Sequence, residues 1–427
     1  MARKMKDSGI EWIGEIPEKW EVSQLKYAIR WKSEKGCPDA PVLSLYRDFG
    51  VVPKDSRDDN HNVTSLDTSN YKVVDIGDLV INKMKAWQGS MAVSDYRGIV
   101  SPAYHVCSIT SNKVNKRYLH HLLRNPAYLP EYARLSTGMR IGQWDLGFDD
   151  FKNIPFLIPP LDEQAKIADY LDNGCASLDA ILDKTRSSIE EYKKLKQTVI
   201  TQAVTKGVRG EREMKDSGNP WFGQIPTDWK LSRVGLHFSI ILGKMLCNAP
   251  LNDTYTLEPY YCAADVHFDG VADGERKKMW FSPIEKDLYR VSVGDLLVVE
   301  GGAGAGGSAI VEKQDSDTYV QNSIMIVRSK GNTDNRYLRY LLEFLVKQGY
   351  IDIVCNKATI PHFTKDKLSC VPFCLCPTGE QKEIADYLDA KCAEIDGLTA
   401  KKEQLVKELE SYKKSLIYEV VTGKREV

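Results

Sequence analysis

The sequence predicts an α+β protein: two tandem β-rich domains separated by two long antiparallel coiled-coil helices, in a pseudo-two-fold internal repeat. Three observations predict it. The opening stretch from Met5 to Trp20 returns from Met214 to Trp229, an offset of 209. The stretch from Glu163 to Asp172 returns from Glu380 to Asp389, an offset of 217. Each of these later stretches begins a long heptad stripe. A repeat of about half the chain is a duplicated domain, because solenoid repeats run to only about 20–50 residues. The ends of the two copies agree and their middles have diverged, which suits a fixed frame carrying two different readers.

Each copy opens on an apolar clasp. Trp12, Ile13, Ile16, Pro17 and Trp20 correspond to Trp221, Phe222, Ile225, Pro226 and Trp229, and both sets read as packing against a domain core. Short apolar runs bounded by turn residues follow, and these read as strands. In the first copy they are residues 41–46, 71–74, 78–81 and 91–94. In the second they are 259–263, 291–293, 295–300 and 308–311. Gly77-Asp78-Leu79 and Gly294-Asp295-Leu296 share the 217 offset and read as equivalent turns into equivalent strands. A helix then spans 115–123 in one copy and 334–342 in the other, on apolar spacing of i, i+3 and i+4.

Each unit closes on a long helix. The stretch from Glu163 to Thr205 aligns without a gap to that from Glu380 to Thr422. Pro159, Pro160 and Pro377 stop whatever precedes it. Thr378 with Gln381 fits a capping box, and Asp162 can cap the first copy. Cys175, Leu178, Leu182, Ile189, Tyr192 and Val199 form a heptad seam, interrupted by Thr185 and Lys196. Cys392, Ile395, Val406, Leu409 and Leu416 form the second seam, interrupted by Thr399, Lys402 and Lys413. A helix of this length reaches about 65 Å at 1.5 Å per residue. No single small domain can bury such a stripe, so the other copy's helix is the expected antiparallel partner.

Composition sets outer bounds. An apolar fraction of 42% and a charged fraction of 27% are ordinary for a globular protein. No apolar run is long enough to span a membrane, and the first residues lack a signal peptide's apolar core. Ten scattered cysteines fit reduced thiols, hence a cytoplasmic setting. A net charge of −1 neither supports nor excludes an acidic partner, which is met by a local patch.

Several motifs suggest catalysis or cofactors and fail on context. Gly302, Gly304 and Gly307 satisfy the dinucleotide fingerprint, but the following residues 308–311 read as strand where a helix is required. The flexible-hairpin reading competes there with close approach of the backbone to DNA phosphates. Asn125-Pro-Ala-Tyr128 and Ser101-Pro-Ala-Tyr104 partly resemble the Asn-Pro-Pro-Tyr loop of adenine methyltransferases, yet lack its second proline. Cys370, Cys374 and Cys376 alternate as on a strand, with no histidine at ligand spacing, and read as core thiols. No catalytic, cofactor-binding or metal-binding set is expected in this chain.

The paired Asp-Ser-Gly-x-x-Trp-x-Gly-x-Ile-Pro openings, the Gly-Asp-Leu turns, Ser101-Pro-Ala-Tyr104 and the two Glu-Gln helix entries carry a resemblance. They resemble the specificity subunit of type I restriction-modification systems over nearly the whole chain. Cys376 stands where that family more often has proline. The resemblance implies target-recognition domains at 1–158 and 207–375, and conserved helices at 159–206 and 376–427. It implies a non-catalytic subunit that reads an asymmetric bipartite target in double-stranded DNA. It further implies two methyltransferase subunits carrying S-adenosylmethionine as partners, and motor-nuclease subunits in the restriction complex, with no membrane. A self-contained methyltransferase or nuclease, and a coiled-coil scaffold without a DNA role, are the rival readings.

Candidate DNA contacts lie in the diverged middles. Lys83, Lys85, Trp87 and Gln88 put two cations, an aromatic ring and an amide in one turn. Arg140 and Gln143 suit guanine and adenine edges. Lys357, Thr359 and His362 occupy the matching place in the second copy. Arg47, Lys54 and Arg57 read as phosphate contacts, since a flexible loop cation positions more often than it specifies.

Overall fold

The computed structural model describes residues 3–47, 49–56, 64, 67–138, 144–313, 317–355 and 361–427. The chain divides into two compact units. Residues 1–186 and 403–427 form the first, and residues 187–402 the second. The long helices Leu161–Lys206 and Thr378–Val421 each give one half to each unit. Among the described residues no helix is long and apolar enough to cross a membrane.

Both units are built on the same antiparallel four-stranded sheet. In the first the strand order is Ile29–Lys32, Tyr104–Ile109, Asp78–Asn82, Met91–Val93. In the second it is Phe238–Leu242, Ile324–Ser329, Leu296–Val299, Ser308–Ile310. The Gly-Asp-Leu turns explain themselves. Gly77 and Gly294 sit at φ 87° and 89°, where a side chain would be strained. The neighbouring Asp78 and Asp295 are buried and accept turn N–H groups of Asp75 (2.9 Å) and Ser292 (2.8 Å). Each carboxylate meets a cation, Lys32 at 3.0 Å in one unit and Arg328 at 2.7 Å in the other.

A helix covers each sheet: Lys116–Leu123, and the longer Asn335–Lys347. Asn115 and Asp334 cap them, each accepting two first-turn N–H groups. Tyr118 and Tyr337 are fully buried and donate to the carbonyls of Leu157 (3.2 Å) and Cys374 (2.9 Å).

The opening clasp and the helix entry meet at one carboxylate in each unit. Trp20 Nε1 donates to Glu163 Oε2 (3.1 Å) and Trp229 Nε1 to Glu380 Oε2 (3.2 Å). Arg3 and Arg212 pair with the other carboxylate oxygen and lie over the indoles, at 5.4 and 5.3 Å from the ring centres. The adjacent glutamines tie the helix entry to the domain. Gln164 accepts from Asn115 N–H (2.7 Å) and donates to Pro159 O (2.7 Å). Gln381 accepts from Asp334 N–H (3.0 Å) and donates to Cys376 O (2.8 Å). Only a carbonyl is asked of positions 159 and 376, so cysteine serves as well as proline. Gly423, past the end of the second long helix, packs against Pro17 and Trp20, and Lys424 Nζ donates to Ile13 O (3.0 Å).

Within each unit the helix halves run antiparallel, as the seam requires. In the first, Lys413 pairs with Asp179 (2.6 Å) and Arg186 with Glu410 (2.6 Å). In the second, Lys196 pairs with Asp396 (2.6 Å), the same interaction displaced by 217. Leu178, Leu182, Ile189, Cys392, Ile395 and Leu416 are buried in the seam. The seam threonines satisfy themselves: Thr185 and Thr399 donate to Ile181 O (2.7 Å) and Ile395 O (2.9 Å), one turn back.

Some sequence expectations are corrected. Thr378 does not form a capping box, because Gln381 N–H donates to Pro377 O (3.0 Å) and the Gln381 side chain is engaged with Asp334 and Cys376. Asp162 lies inside the first turn, where Pro160 O receives the N–H of Gln164 (2.9 Å). Residues 291–293 form no strand, since they enter the Asp295-capped turn. The strand expected at 259–263 is Thr256–Tyr261, followed by a 3-10 turn at Ala263–Asp265. Cys374 and Cys376 are core thiols, with burial pushing Cys376 up to about 12, but Cys370 is exposed.

The two clasps differ in burial, and that orders their energetics. Glu380 is wholly buried, whereas the Glu163 side chain keeps 21% exposure. Arg212→Met should therefore lower stability of the second unit by about 3 kcal/mol, the cost of removing the close partner of a buried charge and leaving it with Trp229 and the more distant Arg209. Arg3→Met should cost the first unit about half as much, near 1.5 kcal/mol. Hydrogen exchange on each unit's sheet checks both; equal losses would contradict the burial argument.

Candidate nucleic-acid interface

The candidate loops leave one end of each sheet. In the first unit strand Asp78–Asn82 runs into a single 3-10 turn, Ala86–Gln88, which Gly89 closes at φ 82°. Lys85 N–H donates to Asn82 O (3.0 Å) and Gly89 N–H to Ala86 O (2.7 Å). A second loop is bound to this one. Leu146 N–H donates to Lys83 O (3.0 Å), Lys83 Nζ pairs with Asp145 (3.0 Å), and the rings of Trp87 and Trp144 meet at 5.1 Å. Lys83 and Trp87 thus brace the loop pair. Lys85 is exposed without an ion-pair partner among the described residues, and Gln88 is half-buried beside it. Arg140 and Gln143 lie outside the described residues.

The second unit repeats the arrangement with other chemistry. Phe363 N–H donates to Glu300 O (2.6 Å), the counterpart of the Leu146–Lys83 bond at an offset of 217. Gly301 bridges His362, whose ring is exposed and whose carbonyl accepts from Lys367 Nζ (2.7 Å). The glycine-rich stretch is therefore the equivalent of the Lys83–Gln88 turn. A side chain at Gly306 would stand 2.9 Å from Val346 and Ile351, so glycine there serves packing. Strand Ser308–Ile310 follows directly, without the helix N-terminus that a pyrophosphate cradle uses. Lys357 and Thr359 lie outside the described residues.

The remaining first-unit candidates sit on the hairpin of Leu43–Tyr46 and Gly50–Pro53. Arg47 is exposed in its turn, and its carbonyl accepts from Arg124, which also reaches Met91 O (3.5 Å). Lys54 follows the hairpin in a 3-10 turn, with its ammonium on the Thr64 hydroxyl. Arg57 lies outside the described residues. Asn125 is fully buried and accepts from Ala127 N–H (2.9 Å), capping the turn Pro126–Tyr128. The Asn-Pro-Ala-Tyr motif is thus a structural cap. Tyr104 of the Ser-Pro-Ala-Tyr motif gives its carbonyl to Lys72 (2.6 Å).

Beneath the first loop pair lies a desolvated layer. His105 packs against Trp31 (4.9 Å) and Phe148 (6.2 Å), and its Nε2 meets Leu146 O (3.1 Å). Burial holds its pKa below the ordinary value, with nearby Lys72 adding to the effect. Lys72 is lowered as well, by burial and then by Lys83. Among the described residues no cluster of three or more His, Cys, Asp or Glu stands ready for a metal ion.

Sequence reasoning missed the groups that fasten each domain helix to its long helix. Arg117 pairs with Asp169 (2.8 Å) and Asp172, and Arg336 with Asp386 (2.7 Å) and Asp389 (2.8 Å). His121 and Tyr340 add bonds to the same Asp172 (2.6 Å) and Asp389 (2.7 Å). Their signal was the repeat itself, which carries both aspartates at the 217 offset and both arginines at 219.

Comparison with known proteins gives concordant results. The model of a family described as the type I restriction modification DNA specificity domain matches residues 17–191 and 227–408. The chain is 26% identical to a specificity subunit named for the type I restriction enzyme MjaX of Methanocaldococcus jannaschii, across 96% of this chain and 95% of that one. It is 24% identical to the type I restriction enzyme MjaVIII specificity subunit of the same organism, across 96% and 93%. Among solved structures, a chain from work on complex assembly of the type I R-M system superposes with a TM-score of 0.70 at 17% identity, across 96% and 99%. The HsdS subunit from Thermoanaerobacter tengcongensis superposes with a TM-score of 0.56 at 17% identity, across 96% and 98%. At that identity the two structures speak to the fold.

The His105 layer makes the first loop pair acid-sensitive. A histidine with a depressed folded pKa contributes stability above its unfolded value of about 6.5 and loses it as pH falls. NMR titration should find His105 titrating below that value. Fluorescence of the tryptophans around it should report loosening as pH drops below about 6.5. A His105→Phe variant that keeps the full pH response would disprove the assignment.

Proposed function

The chain belongs to the type I restriction-modification DNA specificity family, and from that premise we propose that it reads an asymmetric, bipartite DNA target through its two loop pairs. The observation that carries the reading is the equivalence of those pairs. Lys83 with Leu146 and Glu300 with Phe363 are joined by the same backbone bond in the same place, yet present different side chains. One frame with two readers is what a target of two unlike halves demands. Arg47, Lys54 and Arg57 would contact phosphates. Lys85, Gln88, Arg140 and Gln143 would serve the first half-site, and Lys357, Thr359 and His362 the second.

We place methylation chemistry on partner methyltransferase subunits, which would carry S-adenosylmethionine, with motor-nuclease subunits joining in the restriction complex. The setting is the cytoplasm, where such a complex meets DNA. Two copies of the methyltransferase fit the helices. Tyr170 and Ile181 in the first unit, and Tyr387 and Leu398 in the second, are exposed apolar residues at identical 217 offsets. Their spacing keeps each pair within about 20° of one helix face at 100° per residue. In the first unit Tyr170 and Tyr412 line one groove of about 430 Å³, floored by Gly174 and Leu416.

Two experiments test this. The pure chain should not methylate DNA, and adding the cognate methyltransferase should give methylation at one split sequence. Activity of the chain alone would favour a self-contained enzyme, and absence of sequence preference in the complex would favour a scaffold. Exchanging residues 30–150 for another family member's middle should then change one half of the methylated sequence and leave the other unchanged.

Docking is tested by stoichiometry. Tyr170→Glu and Tyr387→Glu should each cost the complex methyltransferase copies in native mass spectrometry while leaving the chain folded. Two full copies bound to the double variant would contradict the assignment.

A further inference from the structure

The second unit displays an apolar set that its fold does not use. Met245 and Leu251 are 75% and 78% exposed, and Leu246 and Leu257 are 51% and 48% exposed. The corresponding stretch of the first unit, residues 33–40, has no large aliphatic side chain. Its absence there shows that the shared frame does not require one.

The segment is held, not loose. Lys244 N–H donates to Val320 O (3.0 Å), and its ammonium pairs with Glu285 (2.5 Å) and lies over Tyr255 (5.0 Å). Trp280 N–H donates to Cys247 O (3.1 Å), and Trp280 is the strand partner of Leu257. These ties hold the loop along the free edge of the strand Lys277–Phe281, with that strand between it and Leu257. The loop also leaves the sheet at the reading end. Gly243 N–H donates to Ile324 O (3.0 Å), next to Ser323, whose carbonyl accepts from Glu300 at the start of the glycine loop (2.8 Å). Lys277 and Lys278, on the strand paired with Leu257's, are exposed and have no ion-pair partner among the described residues.

An apolar group beside a strand that carries exposed cations, at a DNA-reading end, has one complementary feature among base edges. The thymine C5-methyl is the apolar group of the major groove, and phosphates on either side suit the lysines. We propose that Met245 and Leu251 read thymine methyls in the second half-site, with Lys277 and Lys278 on the adjoining phosphates. This rests on the DNA-recognition reading above and adds a specificity contact to it.

The test uses the full chain in complex with its methyltransferase, on duplexes carrying the target found by methylome mapping. Each thymine of the second half-site is replaced in turn by uracil, which removes only the methyl group. At one or more positions affinity should fall about three- to fivefold, the worth of one buried methyl. Leu251→Ser or Met245→Ser should lose the same factor on thymine and show no further loss on uracil. Both side chains are exposed, so circular dichroism should be unchanged. A second half-site without thymine, indifference to uracil, or equal uracil penalties in wild type and variants would each overturn the proposal. So would variants that lose methyltransferase copies while keeping full DNA affinity, since the patch would then be a protein contact. A wild-type complex without any sequence preference would bring down the DNA-recognition reading, and this inference with it.

Discussion

A carboxylate at the start of each long helix is the point on which the architecture turns. Glu163 and Glu380 each accept an indole N–H and an arginine, from residues brought by the opening of the same unit. A buried carboxylate without such partners would cost several kcal/mol, so the helix entry is held to the opening clasp. The helix N-terminus adds its own preference for negative charge. The next residue in each helix, Gln164 or Gln381, fixes the entry to the loop that caps the domain helix. Two adjacent side chains therefore join opening, domain and long helix, and they do so twice.

Because that junction is complete in itself, the parts beyond it are free to differ. Asp78 and Asp295 do the same work in the same turn, yet one pairs with lysine and the other with arginine, drawn from different strands. The loop pairs diverge further. An ion pair and two indoles in tilted contact close the first, while glycine against His362 closes the second. What is kept is the backbone bond between the loops. A main-chain bond is indifferent to side-chain identity, so readers can change while their placement stays.

The frame was legible in the sequence because it was written twice. Repeated residues at constant offsets gave the two units, the equivalent turns, the domain helices and the heptad seam, and the seam's antiparallel pairing holds within each unit. Features carried by tertiary partners were not legible. Thr378 looked like a cap because its spacing to Gln381 fits one, but Gln381 turns its N–H to Pro377 O and its side chain to Asp334 and Cys376. Residues 291–293 alternate like a strand, yet they feed a turn fixed by Asp295. At the candidate site, residue type suggested cations for DNA, and the structure gives Lys83 to Asp145. Nothing in local sequence announces such pairings, because Asp145 lies on another loop. The pairing of Lys83–Gln88 with residues near Trp144, and of the glycine loop with His362, likewise needed the fold.

The spent cation bears on where affinity arises. Binding to DNA is dominated by phosphate contacts and scales with the number of cations that replace counterions. This chain has a net charge of −1, and Lys83 is already paired with Asp145. Neutralising Asp145 would release Lys83, but it would also unbrace the loop pair that sets the readers in place. On the proposed function, the economical division leaves discrimination to these loops and most phosphate contact to the partner subunits. Such a division also suits modular readers. A middle that contributes little to total affinity can be exchanged without making the complex bind everywhere or nowhere, so its sequence can drift toward new targets while the frame stays fixed.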